Sequence, residues 1–263
     1  MKNIIVCMKQ VLDPEIPLSL FKIDTEAKLA VLPKATPPVL SPFDENALEA
    51  ALKIKDAQPA TISVFSLGKK LTRAVVKASL AAGADRLFLL EDESFGDFNT
   101  FLTAYALAAA IKKLGQSDLI LCGIQAADTN AGQVSAGIAS LLGIPCITFA
   151  RKVELAGDRV KVERTLPEGY EVVEAPAPAI VTTSYEVGAL REPDVEAFMS
   201  AGKKPLTVWN AQDLGLESGV TSRTSFLKMY QPAHDTRCEI MEGASPEDKA
   251  VKLVTKLKDI KVI

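Results

Sequence analysis

The sequence predicts an α/β protein: a mostly parallel, doubly wound sheet that carries an antiparallel hairpin and leads into an extended C-terminal arm. Three observations support this. Five short runs, Asn3 to Met8, Thr61 to Ser66, Arg86 to Leu90, Asp118 to Cys122 and Cys146 to Phe149, are dominated by apolar residues, as strands buried on both faces are. Segments of helical periodicity separate the first four, so helices must cover the sheet. After residue 150 the pattern changes: Lys152 to Leu155 and Val160 to Arg164 alternate apolar and charged residues around Ala156-Gly157-Asp158, the mark of a hairpin with one wet face.

The elements follow in order. A helix from Asp44 to Lys55 has Ser41 as a candidate N-cap, Pro42 at its first position and Asp44 completing an S-x-x-D box. Ala47, Leu48, Ala51 and Leu52 form its apolar face. The next helix runs from Lys70 to Ala82 and stops at Gly83; an alanine-rich one runs from about Asn99 to Leu114 and stops at Gly115. Beyond the hairpin, Tyr170 to Val173 and Ala179 to Ser184 read as strands, the second apolar enough to rejoin the core. From Tyr185 the chain reads as extended, with Leu190, Phe198, Leu206, Val208 and Trp209 as isolated anchors, until an amphipathic helix from Pro246 to about Lys258. Long connections without a core of their own wrap a partner or carry function. The division expected is therefore an α/β domain over residues 1–185 and an arm over 186–263 that meets a second subunit.

Composition excludes several classes. In 263 residues, 48% are hydrophobic and the formal net charge is −3, with no Lys/Arg stripe to hold a phosphate backbone, which argues against nucleic acid. The opening MKNIIVCM reads as a strand and not a signal peptide, and no apolar run reaches the about 18 residues of a membrane helix. Cys7, Cys122, Cys146 and Cys238 lie far apart without C-x-x-C pairing, as buried thiols of a reducing compartment do, so a cytoplasmic location is expected. His234 is the single histidine; it lies in a polar segment, and a Ser-His-Asp or Cys-His apparatus would depend on it alone. No cluster of His, Cys and acids has metal-ligand spacing. No catalytic side chain is expected.

The most informative stretch is Asp118 to Val134, DLILCGIQAADTNAGQV, an apolar strand that enters a small polar turn and then a helix. At the carboxyl end of a parallel strand such a turn aims N–H groups at the mouth of the sheet, where the next helix's dipole favours an anion. The spacing is neither G-x-G-x-x-G nor a P-loop. Read on the residues alone, a nucleotide-phosphate site and an ordinary strand-to-helix loop are both compatible with it.

Over nearly its whole length the chain resembles the beta subunit of electron-transfer flavoprotein. The resemblance is carried by VCMKQVLDPE and VLSPFDENALEAALKIKD, by TAYALAAAIKKLGQSDLILCGIQAADTNAGQV, and by a signature at Val162, Arg164, Glu168, Gly169, Glu171, Val173, Pro178, Ile180, Val181 and Thr182. Two positions depart from the family: Pro167 replaces an acidic residue, and Ile124 replaces the basic residue usual after the loop's first glycine. The resemblance implies a Rossmann-like, adenine-nucleotide-binding sheet in a heterodimer whose alpha subunit holds a redox-active FAD. This subunit then holds either AMP, as in the housekeeping carrier, or a second FAD that takes a hydride from NADH and splits the pair. KQVLDP and Gln133-Val134 resemble the bifurcating version, whereas Thr129-Asn130-Ala131-Gly132 departs from it.

Carried over position by position, the implied cofactor contacts are Cys7, Leu40, Ser41, Pro42, Phe43, Leu67, Gly123, Ile124, Gln125, Ala126, Ala127, Asp128, Thr129, Asn130, Ala131, Gly132, Gln133 and Val134. Asp128 accepts from ribose or an amide, or else caps its own turn. The segment Leu190 to Pro205 is similar to the family's recognition loop for acyl-CoA dehydrogenases, with Phe198 and Met199 as apolar candidates and Lys203 and Lys204 as basic ones; Phe198 packing on its own domain or the alpha subunit is the alternative. Any NADH-oxidising activity would need the alpha subunit and partner dehydrogenase together. Two other classes share the sheet: a stand-alone adenine-nucleotide sensor, which would lack the arm, and a pyrophosphatase-type enzyme, which would carry a Ser-Gly-Gly-x-Asp-Ser loop that is absent here.

Overall fold

The computed structural model describes residues 1–31, 36–97, 99–216, 222, 224–232 and 238–263; His234 lies outside the described residues. Strand β1 (Lys2–Cys7) opens the chain. Two short pairs, β2 (Gln10–Val11) with β5 (Val39–Leu40) and β3 (Lys22–Asp24) with β4 (Leu29–Val31), precede helix α1 (Pro42–Ala57). There follow β6 (Ala60–Gly68), α2 (Arg73–Ala82), β7 (Arg86–Glu91), α3 (Thr100–Leu114), β8 (Leu119–Gly123) and α4 (Val134–Leu142). The second half holds β9 (Cys146–Ala156), β10 (Arg159–Leu166), β11 (Gly169–Pro176), β12 (Ala179–Thr183), α5 (Val195–Ala201), β13 (Leu206–Trp209) and α6 (Pro246–Asp259). Each predicted strand and helix is present, with α2 starting three residues later than the periodicity suggests.

Nine strands form one sheet in the order β11-β10-β9-β12-β8-β1-β6-β7-β13. All neighbours from β9 to β13 run parallel, and only β9–β10 and β10–β11 are antiparallel. Two parallel members exceed the five apolar runs of the sequence: β12 inserts between β8 and β9, and β13 adds an edge beside β7. The second is a correction to the extended reading of residues 206–209. Leu206 to Trp209 is only partly buried, so no continuous apolar run announces the strand.

From β1 the chain builds outward through β6 and β7, then returns to place β8 on the other side of β1. The strand order reverses between β1 and β8. The carboxyl ends of strands at such a reversal are the usual ligand position in open α/β sheets. Helices cover both faces: Leu48 and Leu52 of α1 and Leu80 of α2 join one buried cluster, and Leu107 of α3 and Ile138 of α4 join the other. Ile4, Val64, Leu119 and Val181 are at most 1% exposed, and full burial of such side chains stabilises by about 1.5–3 kcal/mol each.

Strand β9 changes partners along its length. Cys146, Ile147 and Ala150 pair with β12, while Ala150 and Lys152 to Ala156 pair with β10. Phe149 lies between Ile147 and Ala150 in the left-handed region (φ 60°), and its N–H donates to Thr182 Oγ1 at 3.1 Å. A bulky residue at positive φ is uncommon, and here it coincides with a bulge in the pairing of β9 with β12, at the point where β9 also begins to pair with β10. Arg164 of the hairpin donates to the Thr148 carbonyl at 3.1 Å and pairs with Glu171 on β11 at 2.7 Å. The signature residues thus hold the hairpin to the sheet.

The chain divides into two compact units: Met1–Lys22 with Ala30–Leu227, and Ile23–Leu29 with Lys228–Ile263. In the second unit α6 starts at Pro246 behind an N-cap, Ser245, whose hydroxyl accepts from Asp248 N at 3.3 Å. No residue of α6 is buried, and Val251, Leu253 and Val254 are exposed.

Candidate functional site

The carboxyl ends of β1 and β8, where the strand order reverses, meet around one buried carboxylate. Sequence spacing predicts that Ser41 and Asp44 cap α1 reciprocally. They do not: Ser41 makes no side-chain cap bond, and its hydroxyl instead accepts from Ala127 N, 3.4 Å away in the loop after β8. Asp44 accepts from Lys9 N at 2.8 Å, just past β1, and from Gly123 N at 3.0 Å, the last residue of β8. The chain leaves both strands here, and amides at these strand ends that no ladder partner takes up need an acceptor inside the protein.

Asp44 is almost wholly buried. Burial pushes its carboxyl up to about 7, against the opposing pull of the Lys9 and Gly123 amides and of the Lys9 ammonium, with Asp128 adding a smaller upward push. Gly123 is required by the same close approach: a Cβ there would sit 2.6 Å from the Phe43 carbonyl carbon and 2.7 Å from Asp44 Oδ1. The first turn of α1 therefore rests directly on the end of β8.

Around this knot lie the positions singled out in the sequence. Cys7 ends β1 in register with Cys122 of β8, and both thiols are buried; the Cys7 neighbour and burial together push Cys122 well up. Leu40 and Ser41 are buried, Pro42 opens α1, and Leu67 lies near the end of β6, the strand on the other side of β1. In the loop, Thr129 N and Asn130 N both donate to the Ala126 carbonyl, at 3.3 and 2.8 Å. Asn130 (φ 49°) and Gly132 (φ 62°) take left-handed conformations that let the chain double back toward the sheet. Gln133 precedes α4 without a side-chain cap bond, and its Oε1 accepts from Thr100 Oγ1 at 2.9 Å. No side chain at the N-cap thus takes up the first-turn amides of α4, which Val134 opens.

Two side chains at this mouth escaped the sequence reading. Lys9 reaches Asp128, with Nζ 2.9 Å from Oδ1 and 2.7 Å from Oδ2. Thr183, at the end of β12, donates to the Cys122 carbonyl at 3.3 Å. Lys9 opens the KQVLDP stretch that carries the family resemblance, but nothing in that stretch ties it to Asp128, 119 residues away.

The docking candidates lie elsewhere, on α5 and in the turn after it. Phe198 and Met199 are 69% and 74% exposed, and Lys203 is exposed as well. Lys204 points inward: its ammonium donates to the carbonyls of Leu80 and Ala84 at the end of α2, at 2.7 and 2.8 Å, and burial lowers its pKa. The preceding segment is tied to α1 by Lys53 Nζ on the Val187 carbonyl, Asn46 Nδ2 on the Gly188 carbonyl, and Arg191, which pairs with Glu49 at 2.9 Å and Asp56 at 2.8 Å. Among the described residues no group of three or more His, Cys, Asp or Glu is placed to hold a metal ion, and no helix is long and apolar enough to cross a membrane.

A strand-order reversal with a polar loop on one strand end and an uncapped helix behind it defines a doubly wound α/β protein of the kind that takes ligands at the carboxyl ends of its strands. Comparison with known proteins narrows that class. Residues 29–214 match the electron transfer flavoprotein domain. The caffeyl-CoA reductase-Etf complex subunit CarD of Acetobacterium woodii is 35% identical, over 99% of this chain and 100% of that one. The electron transfer flavoprotein subunit beta of Megasphaera elsdenii is 36% identical, and the acryloyl-CoA reductase electron transfer subunit gamma of Anaerotignum propionicum 31%, each over 99% of this chain and 100% of its own. The chain belongs to the electron transfer flavoprotein family, as a beta subunit. Its role is electron transfer within a flavoprotein complex.

Proposed function

We propose that this chain is the beta half of an electron-bifurcating flavoprotein, with the adenosine-phosphate part of a second FAD lying at the carboxyl ends of β1 and β8. Left-handed turns at Asn130 and Gly132 and α4 amides without a side-chain cap support a nucleotide at the mouth, and KQVLDP with Gln133-Val134, which resemble the bifurcating version, favour FAD over AMP there. Uncapped amides suit an anionic, hydrogen-bonding ligand. Backbone of Leu40 to Phe43, with Cys7 and Leu67 as apolar walls, would flank the adenine. The chemistry a flavin supplies when bound is acceptance of a hydride, here from NADH, and its release as separate electrons. The residues of this chain bind, orient and exclude water.

The partners proposed are an alpha subunit carrying the first FAD and an enzyme of the acyl-CoA dehydrogenase type. Relatives named for caffeyl-CoA and acryloyl-CoA reductase complexes support that choice. Residues 186–263, including the exposed apolar face of α6, would meet the alpha subunit, while Phe198, Met199 and Lys203 would meet the dehydrogenase, with Lys204 anchoring the segment behind them. A cytoplasmic setting suits these partners.

Co-expression with an alpha-type subunit, followed by a flavin count per heterodimer, tests the reading. Two flavins are expected. One flavin with one AMP would replace bifurcation by the housekeeping carrier, and a chain without flavin or partner would favour a stand-alone nucleotide sensor.

A further inference from the structure

We infer that Lys9 is the cation that recognises phosphate at the mouth of the sheet, and that Asp128 holds it ready there. The inference rests on that mouth being a nucleotide site and adds a residue to it. The loop from Gly123 to Val134 contains no lysine, arginine or histidine, and its one charge, Asp128, is negative. Left alone, that carboxylate would repel a phosphate. Lys9 removes the obstacle: its ammonium contacts both Asp128 oxygens, at 2.9 and 2.7 Å, across 119 residues of sequence.

The lysine's placement is fixed from behind. Its N–H donates to Asp44 at 2.8 Å and its carbonyl accepts from Ser41 N at 2.9 Å, so the side chain must leave the main chain at the mouth. Its outer part is open, with the side chain 42% exposed. A half-exposed ion pair of this kind adds little to folding stability, so stability alone does not account for so tight a placement. An ammonium has three donors and can serve Asp128 and a phosphate oxygen together. With the pair neutral and the α4 amides uncapped, a phosphate monoester or diphosphate meets attraction where an uncharged nucleoside meets none.

The test measures binding of AMP and of adenosine to the dialysed full chain by titration calorimetry at several salt concentrations. Wild type, Lys9→Met, Lys9→Arg and Asp128→Asn are compared. Lys9→Met should weaken AMP about tenfold or more, leave adenosine within about twofold and flatten the salt dependence of AMP binding. Lys9→Arg should keep most of the AMP affinity, and Asp128→Asn, which leaves the ammonium unplaced, should weaken AMP severalfold while sparing adenosine; an Asp128→Asn that binds AMP as well as or better than wild type would overturn the positioning role of Asp128. Equal losses for AMP and adenosine in Lys9→Met, or no loss of either, would overturn the role of Lys9 while leaving the mouth as a nucleotide site. A wild-type chain that binds neither ligand would overturn the nucleotide site itself and the inference with it.

Discussion

Replacing Asp44 by asparagine perturbs the one group that ties β1, α1 and β8 together. Asparagine can accept from one of the Lys9 and Gly123 amides, but the other then faces its NH2, donor against donor. Leaving one of these buried amides without its acceptor costs about 1–3 kcal/mol. A second effect runs with pH. Burial lifts the carboxyl from 3.8 to about 7, a change of about three units and therefore about 4 kcal/mol in total. The folded value is raised, so between about pH 4 and 7 the folded chain keeps a proton that the unfolded chain gives up. Stability from this group is highest at acid pH, falls as pH rises through that window and is flat above it. From pH 5 to pH 8 the fall should be on the order of 2–3 kcal/mol, and the asparagine variant lacks it. Urea unfolding of both proteins at the two pH values isolates the term, because every other titrating group cancels in the difference. Wild type should lead clearly at pH 5 and lose most or all of that lead at pH 8. A lead independent of pH would refute the reasoning, since it would mean that Asp44 stays ionised throughout and that the two amides outweigh its burial.

Gly123→Ala drives a Cβ into the backbone of α1 at Phe43, where no flexible side chain can give way, and should lower stability by about 1–3 kcal/mol; a urea midpoint unchanged from wild type would contradict the close contact. Phe198→Ala removes a ring that is 69% exposed, so unfolding and flavin content should stay as they are while electron exchange with the partner dehydrogenase slows. Unaltered rates in stopped-flow reduction would end that role for Phe198.

The parallel sheet was legible because its strands are short apolar runs, such as Ile4 to Val6 and Leu119 to Leu121, that can be nothing else between helices. The hairpin was legible from alternation. What stayed hidden depends on distant partners. Ser41 and Asp44 have the spacing of a local cap, yet their side chains serve Ala127, Lys9 and Gly123, and no window around α1 contains that information. Lys9 was hidden for the same reason. Lys203 and Lys204 form one basic pair in sequence, but only the second fills the carbonyl end of α2, a distinction set by the packing of α5 on that helix. Strand β13 was missed because an edge strand has one neighbour and needs little apolar surface.

The reversal of strand order has a temporal consequence. Asp44 lies 79 residues from Gly123, and Lys9 lies 119 from Asp128, so neither contact can exist until β8 and the loop after it have packed against β1 and α1. Contacts so remote in sequence close late, because chain entropy must first be overcome by the intervening structure. A nascent or partly unfolded chain lacks these contacts, so a ligand bound at the proposed site would select finished molecules and stabilise them by mass action. Cofactor loading would then act as an inspection of the completed fold before the subunit enters its complex.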